Sequence, residues 1–200
     1  MYKRQVQAIV EDAVADMQAV RDRDAASTGF LQAWVFFKGF HSIQGHRVAH
    51  HLWHRNRRSL AYALQSRISQ QFDVDIHPAA FLGRGIMMDH ATGIVIGETA
   101  VVGDNVSMLH RVTIGGSGIS TGLRHPTIGH GVLLGAGTTV LGPIHIGHSS
   151  KIGAGSVVVQ DIPETCVAVG VPARVVRQDK KLDPCKDMDQ ASDYVLDFII

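Results

Sequence analysis

The chain has 200 residues, of which 18% are charged, and its formal net charge is +1. This length suits one substantial domain, and the near-neutral charge gives no electrostatic argument for nucleic acid or an anionic membrane as a partner. Two cysteines are too few for a disulfide scaffold, and no apolar run resembles a signal peptide or a membrane span. The composition predicts a soluble, cytoplasmic protein that binds neither nucleic acid nor membrane.

Residues 1–72 are predicted to form a helical N-terminal domain. Apolar residues recur at four-residue spacing within residues 57–72, as in an amphipathic helix: Leu60, Leu64, Ile68 and Phe72. Residues 30–54 are apolar enough for one partly buried helix, in which Gly39 and Gly45 permit close packing or a kink.

Four histidines lie close together in the second half of this predicted helix: His46, His50, His51 and His54. The spacing of four between His46 and His50, and between His50 and His54, is compatible with metal ligands on one helix face. No nearby cysteine or carboxylate completes a ligand set, so structural histidines are the favoured interpretation and no metal site is predicted.

An aliphatic residue or methionine recurs every six positions through much of residues 73–176. The thirteen positions fall into three blocks: Ile76, Leu82 and Met88; Ile96, Val102, Met108 and Ile114; Ile128, Leu134, Val140, Ile146, Ile152 and Val158. A period of six fits neither an α-helix nor simple strand alternation, but it is typical of short strands joined by tight corners in a parallel β-helix. A glycine-rich β-sandwich is the alternative, although its strands would not keep a fixed step. The predicted fold class is therefore α+β, with a helical region followed by a parallel β-helix.

The step of six is interrupted twice, at "DHATG" and at "GGSGISTGLRHPT". Insertions in a solenoid emerge as loops, which we expect on one face, and such a face often binds ligands. Each interruption contains a histidine, His90 in the first and His125 in the second. These two residues are therefore candidates for the functional site.

Residues 177–200 begin polar and end in the apolar sequence "DYVLDFII". The polar composition predicts a flexible C-terminal tail. An apolar end on such a tail suggests a surface that receives it.

Several segments together resemble the serine O-acetyltransferase family of hexapeptide-repeat acyltransferases: "DIHPAAFLGRGIMMDHATGIVIGETAVVGDNV", "TIGGSG", "RHPTIG", "IGAGSVV" and "GVPAR". The similarity runs from about residue 18 to the end. It implies a left-handed β-helix and assembly as a homotrimer or a dimer of trimers. It also implies acetyl transfer from acetyl-CoA to the hydroxyl of L-serine, with L-cysteine as a feedback inhibitor.

The resemblance assigns His90 as the general base, which the chemistry requires because a serine hydroxyl is a weak nucleophile until its proton is removed. Asp75 precedes His90 by fifteen residues, nearly one coil, so we expect it to stack close to His90 and orient the imidazole. Arg124 offers a bidentate fork for the serine carboxylate, with His125 beside it. Asp24 and Asp89 match the family residues that hold the amino group.

The resemblance places acetyl-CoA in a groove between neighbouring solenoids, where small residues allow the pantetheine arm to approach. Gly116, Ala136 and Ala154 are the candidate contacts. The resemblance also implies that the last residue, Ile200, enters the active site of O-acetylserine sulfhydrylase, with its free carboxylate held by backbone N–H groups.

Three other functions remain open from the residues themselves. An acetyltransferase for a sugar or xenobiotic hydroxyl would share the β-helix and the base. A β-helix carbonic anhydrase would need zinc-binding histidines, whose spacing "HATG" lacks. A non-enzymatic scaffold would use the solenoid to present its tail to a partner.

Overall fold

A computed structural model of the protein describes residues 2–118, 121–178 and 183–188. Four helices come first in the chain: α1 Tyr2–Arg23, α2 Phe30–Phe36, α3 Lys38–His54 and α4 Arg58–Phe72. The prediction of a helical region that ends at Phe72 agrees with these bounds.

The predicted helix over residues 30–54 is two helices, because Phe37 between them adopts an extended backbone conformation (φ −86°, ψ 104°). The break therefore occurs at Phe37 and not at a glycine. Gly39 and Gly45 serve close packing instead: a Cβ on Gly39 would overlap the Met88 carbonyl oxygen, and one on Gly45 would crowd the Ile68 side chain. The absence of a side chain at Gly39 lets α3 lie directly on the backbone that leads to His90.

Helix α4 keeps most of the predicted stripe on its buried side and departs from it at the first residue. Ala61 and Ile68 are buried, and Phe72 packs against the main core, as expected for part of the stripe. Leu60 is 44% exposed, so its inclusion in the buried stripe is wrong. Ala61 takes its place because a small residue allows the close approach of α3, the helix that α4 contacts most.

Fifteen strands follow in the described part of the chain: β1 Val74–Ile76, β2 Phe81–Leu82, β3 Met87–Met88, β4 Ile94–Ile96, β5 Val101–Val102, β6 Ser107–Met108, β7 Thr113–Gly115, β8 Thr127–Ile128, β9 Leu133–Leu134, β10 Thr139–Leu141, β11 His145–Ile146, β12 Lys151–Ile152, β13 Val157–Val158, β14 Cys166–Gly170 and β15 Ala173–Gln178. They form three sheets. From β1 to β13, strands three apart along the chain pair in parallel, whereas β14 pairs in parallel with β12. Sheet A contains β1, β4, β7, β10 and β13; sheet B contains β2, β5, β8 and β11; sheet C contains β3, β6, β9, β12, β14 and β15. The chain passes from sheet A to B to C and back to A, which is the parallel β-helix that the hexad predicts.

All thirteen hexad positions point into the solenoid. Each is no more than 7% exposed, and all of them belong to one continuous core. Burial of these aliphatic side chains is the main force that closes each coil, at about 25 cal/mol per Å² of apolar surface. The prediction of inward-facing hexad residues is confirmed.

The two interruptions are insertions at corners, and they lie on different edges of the triangular solenoid. Residues 89–93 lie at the corner between sheets C and A, the C–A edge, and residues 116–126 lie at the corner between sheets A and B, the A–B edge. The expectation that both loops emerge on one face is wrong, because the first insertion follows a strand of sheet C and the second follows a strand of sheet A.

Buried polar contacts fasten the helices to the first coil. Arg47 of α3 pairs with Asp16 of α1 at 2.8 Å, and the Ile86 backbone N–H donates to the same carboxylate at 2.9 Å. His46 approaches the Ala80 carbonyl oxygen at 3.2 Å, and His50 approaches that of Pro78 at 2.9 Å. These histidines of the predicted cluster therefore hold α3 against the solenoid.

The end of the solenoid is an antiparallel hairpin of β14 and β15 on sheet C. A short helix, α5 Pro184–Asp187, then packs near α1, with Cys185 only 3% exposed and its carbonyl oxygen 3.3 Å from the Ser107 hydroxyl. This part of the predicted flexible tail is therefore packed against the protein. Ile200 and the other residues after 188 lie outside the described residues. No helix in the described ranges is both long and apolar enough to cross a bilayer.

Candidate functional site

A cavity of about 580 Å³ lies where the helices meet the C–A edge. Three predicted site residues line it: Asp24 from the end of α1, and Asp89 and His90 from the first insertion. The remaining walls come from the start of α3, from β3 and from apolar residues of α1 and α2, and Met188 lies at the cavity as well. The structure thus brings together residues that are 65 or more positions apart in sequence.

His90 lies in a tight turn with an uncommon backbone conformation. His90 and Ala91 both have positive φ, 56° and 57°, a region that few residues other than glycine adopt. The turn is closed by the Ala91 N–H on the Asp89 carbonyl oxygen at 2.6 Å and by the Thr92 N–H on the His90 carbonyl oxygen at 2.7 Å. The resulting turn leaves the His90 side chain 73% exposed, with Nε2 3.8 Å from the Asp89 carboxylate. An accessible imidazole beside a carboxylate is suited to accept a proton.

Asp89 and Asp24 place two carboxylates in the cavity, which Arg23 and Lys38 also line. Burial raises the pKa of Asp89, and the charge of Asp24 raises it further, whereas His90 and His110 oppose the shift. Asp24 also accepts a hydrogen bond from the Ala26 N–H at 2.8 Å, which holds its carboxylate beside the turn after α1. A carboxylate whose charge is destabilised by burial and by a neighbouring carboxylate favours a cationic group beside it.

Small residues follow His90 along the C–A edge. Ala136 and Ala154 occupy the equivalent corner of later coils, and the Gly155 N–H donates to the Ala136 carbonyl oxygen at 2.7 Å. His110 occupies the same edge one coil after His90, with its ring centroid 5.8 Å from that of His90. The His110 Nδ1 atom is buried without a hydrogen-bond partner among the described residues. This edge therefore presents a path of small side chains that leads to two neighbouring imidazoles.

Arg124 and His125 lie on the A–B edge, in the second insertion. The Arg124 guanidinium pairs with Glu98 at 2.6 Å, and this hydrogen bond is the largest cause of the lowered pKa of Glu98. The His125 ring lies over Gly97, where any Cβ would overlap it. Desolvation lowers the pKa of His125 and the charge of Arg124 lowers it further, against an opposing effect of Glu98, so the environment favours the neutral ring.

Asp75 lies in sheet A, in register with Val95 of the next coil. The first coil takes twenty residues, five more than separate Asp75 from His90, so the register sets Asp75 beside Val95, and its stacking on His90 stays a prediction. Its carboxylate accepts a hydrogen bond from Gln65 at 2.6 Å, and its charge acts on the pKa of His77, which burial lowers. Glu98 acts on the same imidazole, so Asp75 lies on the side of the molecule that carries Arg124.

The predicted site residues therefore form two groups in one chain. Asp24, Asp89, His90, Ala136 and Ala154 belong to the C–A edge or to the cavity beside it. The second group lies on the A–B edge or in sheet A beside it: Asp75, Gly116, Arg124 and His125.

Sequence reasoning missed Glu98, Thr99 and His110, which contact or neighbour the predicted residues. The "GETA" sequence contains Glu98 and Thr99 and lies eighteen residues before the "GGSG" loop, which is one coil earlier at the same corner. This spacing could have identified Glu98 and Thr99 as neighbours of the second insertion. Among the residues that the structure describes, no three histidine, cysteine, aspartate or glutamate side chains are grouped as metal ligands.

Comparison with protein families and curated proteins gives consistent matches. Residues 1–45 match the model of the serine acetyltransferase N-terminal region, and residues 125–160 match the bacterial transferase hexapeptide repeats. The serine acetyltransferase of Haemophilus influenzae is 53% identical over 182 residues, which cover 91% of this chain and 68% of that protein.

Solved structures agree with these matches. A serine acetyltransferase in complex with cysteine superposes with a TM-score of 0.91 at 51% identity, over 94% of this chain and 74% of that one. The Brucella abortus serine acetyltransferase in complex with coenzyme A gives a TM-score of 0.83 at 50% identity, over 88% and 73% of the two chains. With its helical region, its hexapeptide solenoid and this degree of identity, the chain belongs to the serine acetyltransferase family.

Proposed function

We propose that the protein transfers an acetyl group from acetyl-CoA to the hydroxyl of L-serine, giving O-acetyl-L-serine and free CoA. The observation that carries the proposal is the convergence of Asp24, Asp89 and His90 on one cavity. Two carboxylates that favour a cation lie there beside an exposed imidazole, as an amino acid with a hydroxyl to be deprotonated requires.

The complete site is formed by two copies of the chain in a homotrimer, or in a dimer of such trimers. Arg124 and His125 lie on a different edge from His90, so a ligand bound at His90 meets them only from a neighbouring copy. A threefold arrangement that sets the A–B edge of one solenoid against the C–A edge of the next repeats this pairing three times.

Serine is held at both ends of its zwitterion. Its ammonium group lies between Asp24 and Asp89, whose mutual repulsion it relieves. Its carboxylate accepts hydrogen bonds from the guanidinium group of Arg124 and from the ring of His125, both of the neighbouring copy. L-Cysteine has the same ammonium and carboxylate groups, so it competes with serine and acts as an inhibitor; a related enzyme has been solved as a complex with cysteine.

His90 removes the serine hydroxyl proton as the oxygen attacks the thioester carbonyl carbon, and a C–O bond forms. Collapse of the tetrahedral intermediate breaks the C–S bond, and the proton passes from His90 to the departing CoA sulfur. Asp75 of the neighbouring copy orients the protonated imidazole and stabilises its charge.

Acetyl-CoA lies along the C–A edge, where Ala136 and Ala154 leave room for the pantetheine arm. Gly116 contributes from the A–B edge of the neighbouring copy, so all three candidates line one groove between solenoids. A coenzyme A complex of a relative is consistent with this class of ligand.

The C-terminal Ile200 binds O-acetylserine sulfhydrylase, which uses the product of the reaction. A free carboxylate and an apolar side chain at a chain end are suited to a pocket with backbone donors. The two cysteines are free and buried, as suits activity in a reducing cytoplasm.

A thiol-release assay with acetyl-CoA tests the proposed activity. We expect CoA release that depends on L-serine, with much slower release on L-homoserine or a galactoside. His90→Ala lowers turnover by roughly a hundredfold or more, the usual scale for loss of a general base. His148→Ala is the matched control, because His148 lies on the remaining edge of the solenoid and stacks on His130. Serine-independent release, or normal turnover in a folded His90→Ala variant, would contradict the proposal.

A further inference from the structure

Thr99 lies at the corner of the A–B edge below the second insertion, and it contacts both Arg124 and His125. Its hydroxyl oxygen accepts hydrogen bonds from the backbone N–H of Arg124 at 3.1 Å and from that of His125 at 3.2 Å. One side chain therefore fixes the backbone of two consecutive residues that are 25 and 26 positions away.

The same residue also binds the imidazole of His125. The Thr99 backbone N–H donates to the His125 Nδ1 at 3.2 Å, and the hydroxyl lies 2.9 Å from that atom. A backbone N–H is always a donor, so Nδ1 must carry the lone pair. With its oxygen already accepting two hydrogen bonds, the hydroxyl directs its own hydrogen toward Nδ1.

These contacts determine where the neutral ring carries its proton. With the lone pair on Nδ1, the single N–H of a neutral imidazole is at Nε2, and this atom is a hydrogen-bond donor. Desolvation and the charge of Arg124 both favour the neutral ring. The Nε2–H group is the form needed to contact an anionic oxygen, and the opposite tautomer would present a lone pair to it.

We propose that Thr99 is a positioning residue that sets the tautomer of His125 and the alignment of His125 with Arg124 for recognition of the substrate carboxylate. Glu98 pairs with the guanidinium group of Arg124. Thr99 instead bonds the backbone of Arg124 and the Nδ1 atom of the His125 ring. The assignment of a carboxylate ligand rests on the proposed function; the tautomer does not.

Comparing Thr99→Val with Thr99→Ser distinguishes the effect of losing the hydroxyl from the effect of changing the side-chain volume. Valine keeps the shape and the backbone N–H but loses the hydroxyl, whereas serine retains it. Long-range proton–nitrogen correlation spectra of protein with ¹⁵N-labelled histidine report the tautomer directly, with His125→Gln to assign the resonance. In the wild type and in Thr99→Ser we expect a single protonated Nε2. In Thr99→Val only the longer contact of the backbone N–H with Nδ1, at 3.2 Å, remains, so we expect the tautomer protonated at Nδ1 to become detectable beside the Nε2 form.

Kinetics supply the second measurement. We expect Thr99→Val to raise the KM for serine by roughly tenfold while the KM for acetyl-CoA changes less than twofold, and Thr99→Ser to restore the wild-type value. Unchanged spectra and an unchanged KM in Thr99→Val would overturn the inference, as would equal effects on both substrates. If the spectra change as expected but the wild type does not acetylate serine, the proposed function fails while the tautomer assignment stands.

Discussion

His46 makes the stability of the fold depend on pH in a predictable direction. Its side chain is 2% exposed between α3 and the first coil, where the Ala80 carbonyl oxygen accepts a hydrogen bond from Nε2. Desolvation is the largest cause of a pKa lowered from 6.5 to about 3, and the neighbouring charges of His50 and Arg47 add to it. The native state therefore excludes a proton that the unfolded chain binds readily.

The sign and size of the effect follow from this difference. Because the pKa is depressed in the folded state, the stabilising contribution of the neutral ring is present above pH 6.5 and is lost as the pH falls from 6.5 toward 3. Between pH 8 and pH 5 the native ring stays neutral while the unfolded ring becomes protonated. Proton linkage gives a loss of about 2 kcal/mol in the free energy of unfolding over this interval.

Urea unfolding at pH 8 and pH 5, at one protein concentration, measures this loss in the wild type and in His46→Gln. Glutamine retains an N–H that can donate to the Ala80 carbonyl oxygen but does not titrate. We expect the variant's free energy of unfolding to fall by about 2 kcal/mol less than that of the wild type. His51→Gln, in the same helix but only half-buried, is the matched control and should keep the wild-type pH dependence. Equal pH dependence in His46→Gln and the wild type would refute the reasoning.

Three further predictions concern the interior, the substrate and the tail. Asp16→Asn leaves the buried Arg47 with only the more distant carboxylate of Asp12, at 3.4 Å, and should cost roughly 3 kcal/mol in urea unfolding, whereas the double variant Asp16→Leu/Arg47→Met should recover much of that loss; a cost below 1 kcal/mol would contradict a buried ion pair. Arg124→Ala should raise the KM for serine far more than that for acetyl-CoA in steady-state assays, because the serine carboxylate loses its charged partner; equal effects would indicate that Arg124 supports the loop. Deletion of Ile200 should abolish binding to O-acetylserine sulfhydrylase in calorimetry and leave serine acetylation near normal, and undiminished binding would exclude Ile200 as the anchor.

The solenoid was predictable from sequence because its interior has one simple requirement. Each side chain at a hexad position packs in the same apolar interior. The hexad positions from Ile76 to Val158 therefore carry aliphatic residues or methionine, and the period is visible in the sequence. Interruptions of that period were equally visible as inserted residues. Which edge each insertion occupies follows only from the path of the three sheets.

The helical region was less predictable, because its packing depends on contacts far along the chain. Phe37 breaks the predicted long helix although no proline or glycine occupies that position. Leu60 is exposed while Ala61 is buried, since proximity to α3 selects a small residue over a larger apolar one. Periodicity indicates that a helix is amphipathic but does not decide which neighbouring residue faces the partner helix.

The candidate residues were found by type and motif, but their grouping was not. The fifteen-residue spacing of Asp75 and His90 suggested stacking, whereas the register pairs Asp75 with Val95. Thr99 is neither a general base nor a charged residue, so only its contacts with Arg124 and His125 identify it as part of the site. The separation of Arg124 from His90 likewise became visible only once the edges were known.

Mixing two impaired variants tests most directly whether the site is shared between copies. His90→Ala and Arg124→Ala, each with its own affinity tag, are co-expressed, and oligomers that carry both tags are assayed with serine and acetyl-CoA. A site is intact only where a copy that retains His90 meets a neighbour that retains Arg124 in the correct order. Every mixed trimer has one such site out of three, so trimers that carry both tags should show about a third of wild-type activity. Mixed oligomers no more active than either variant alone would contradict a site formed by two copies.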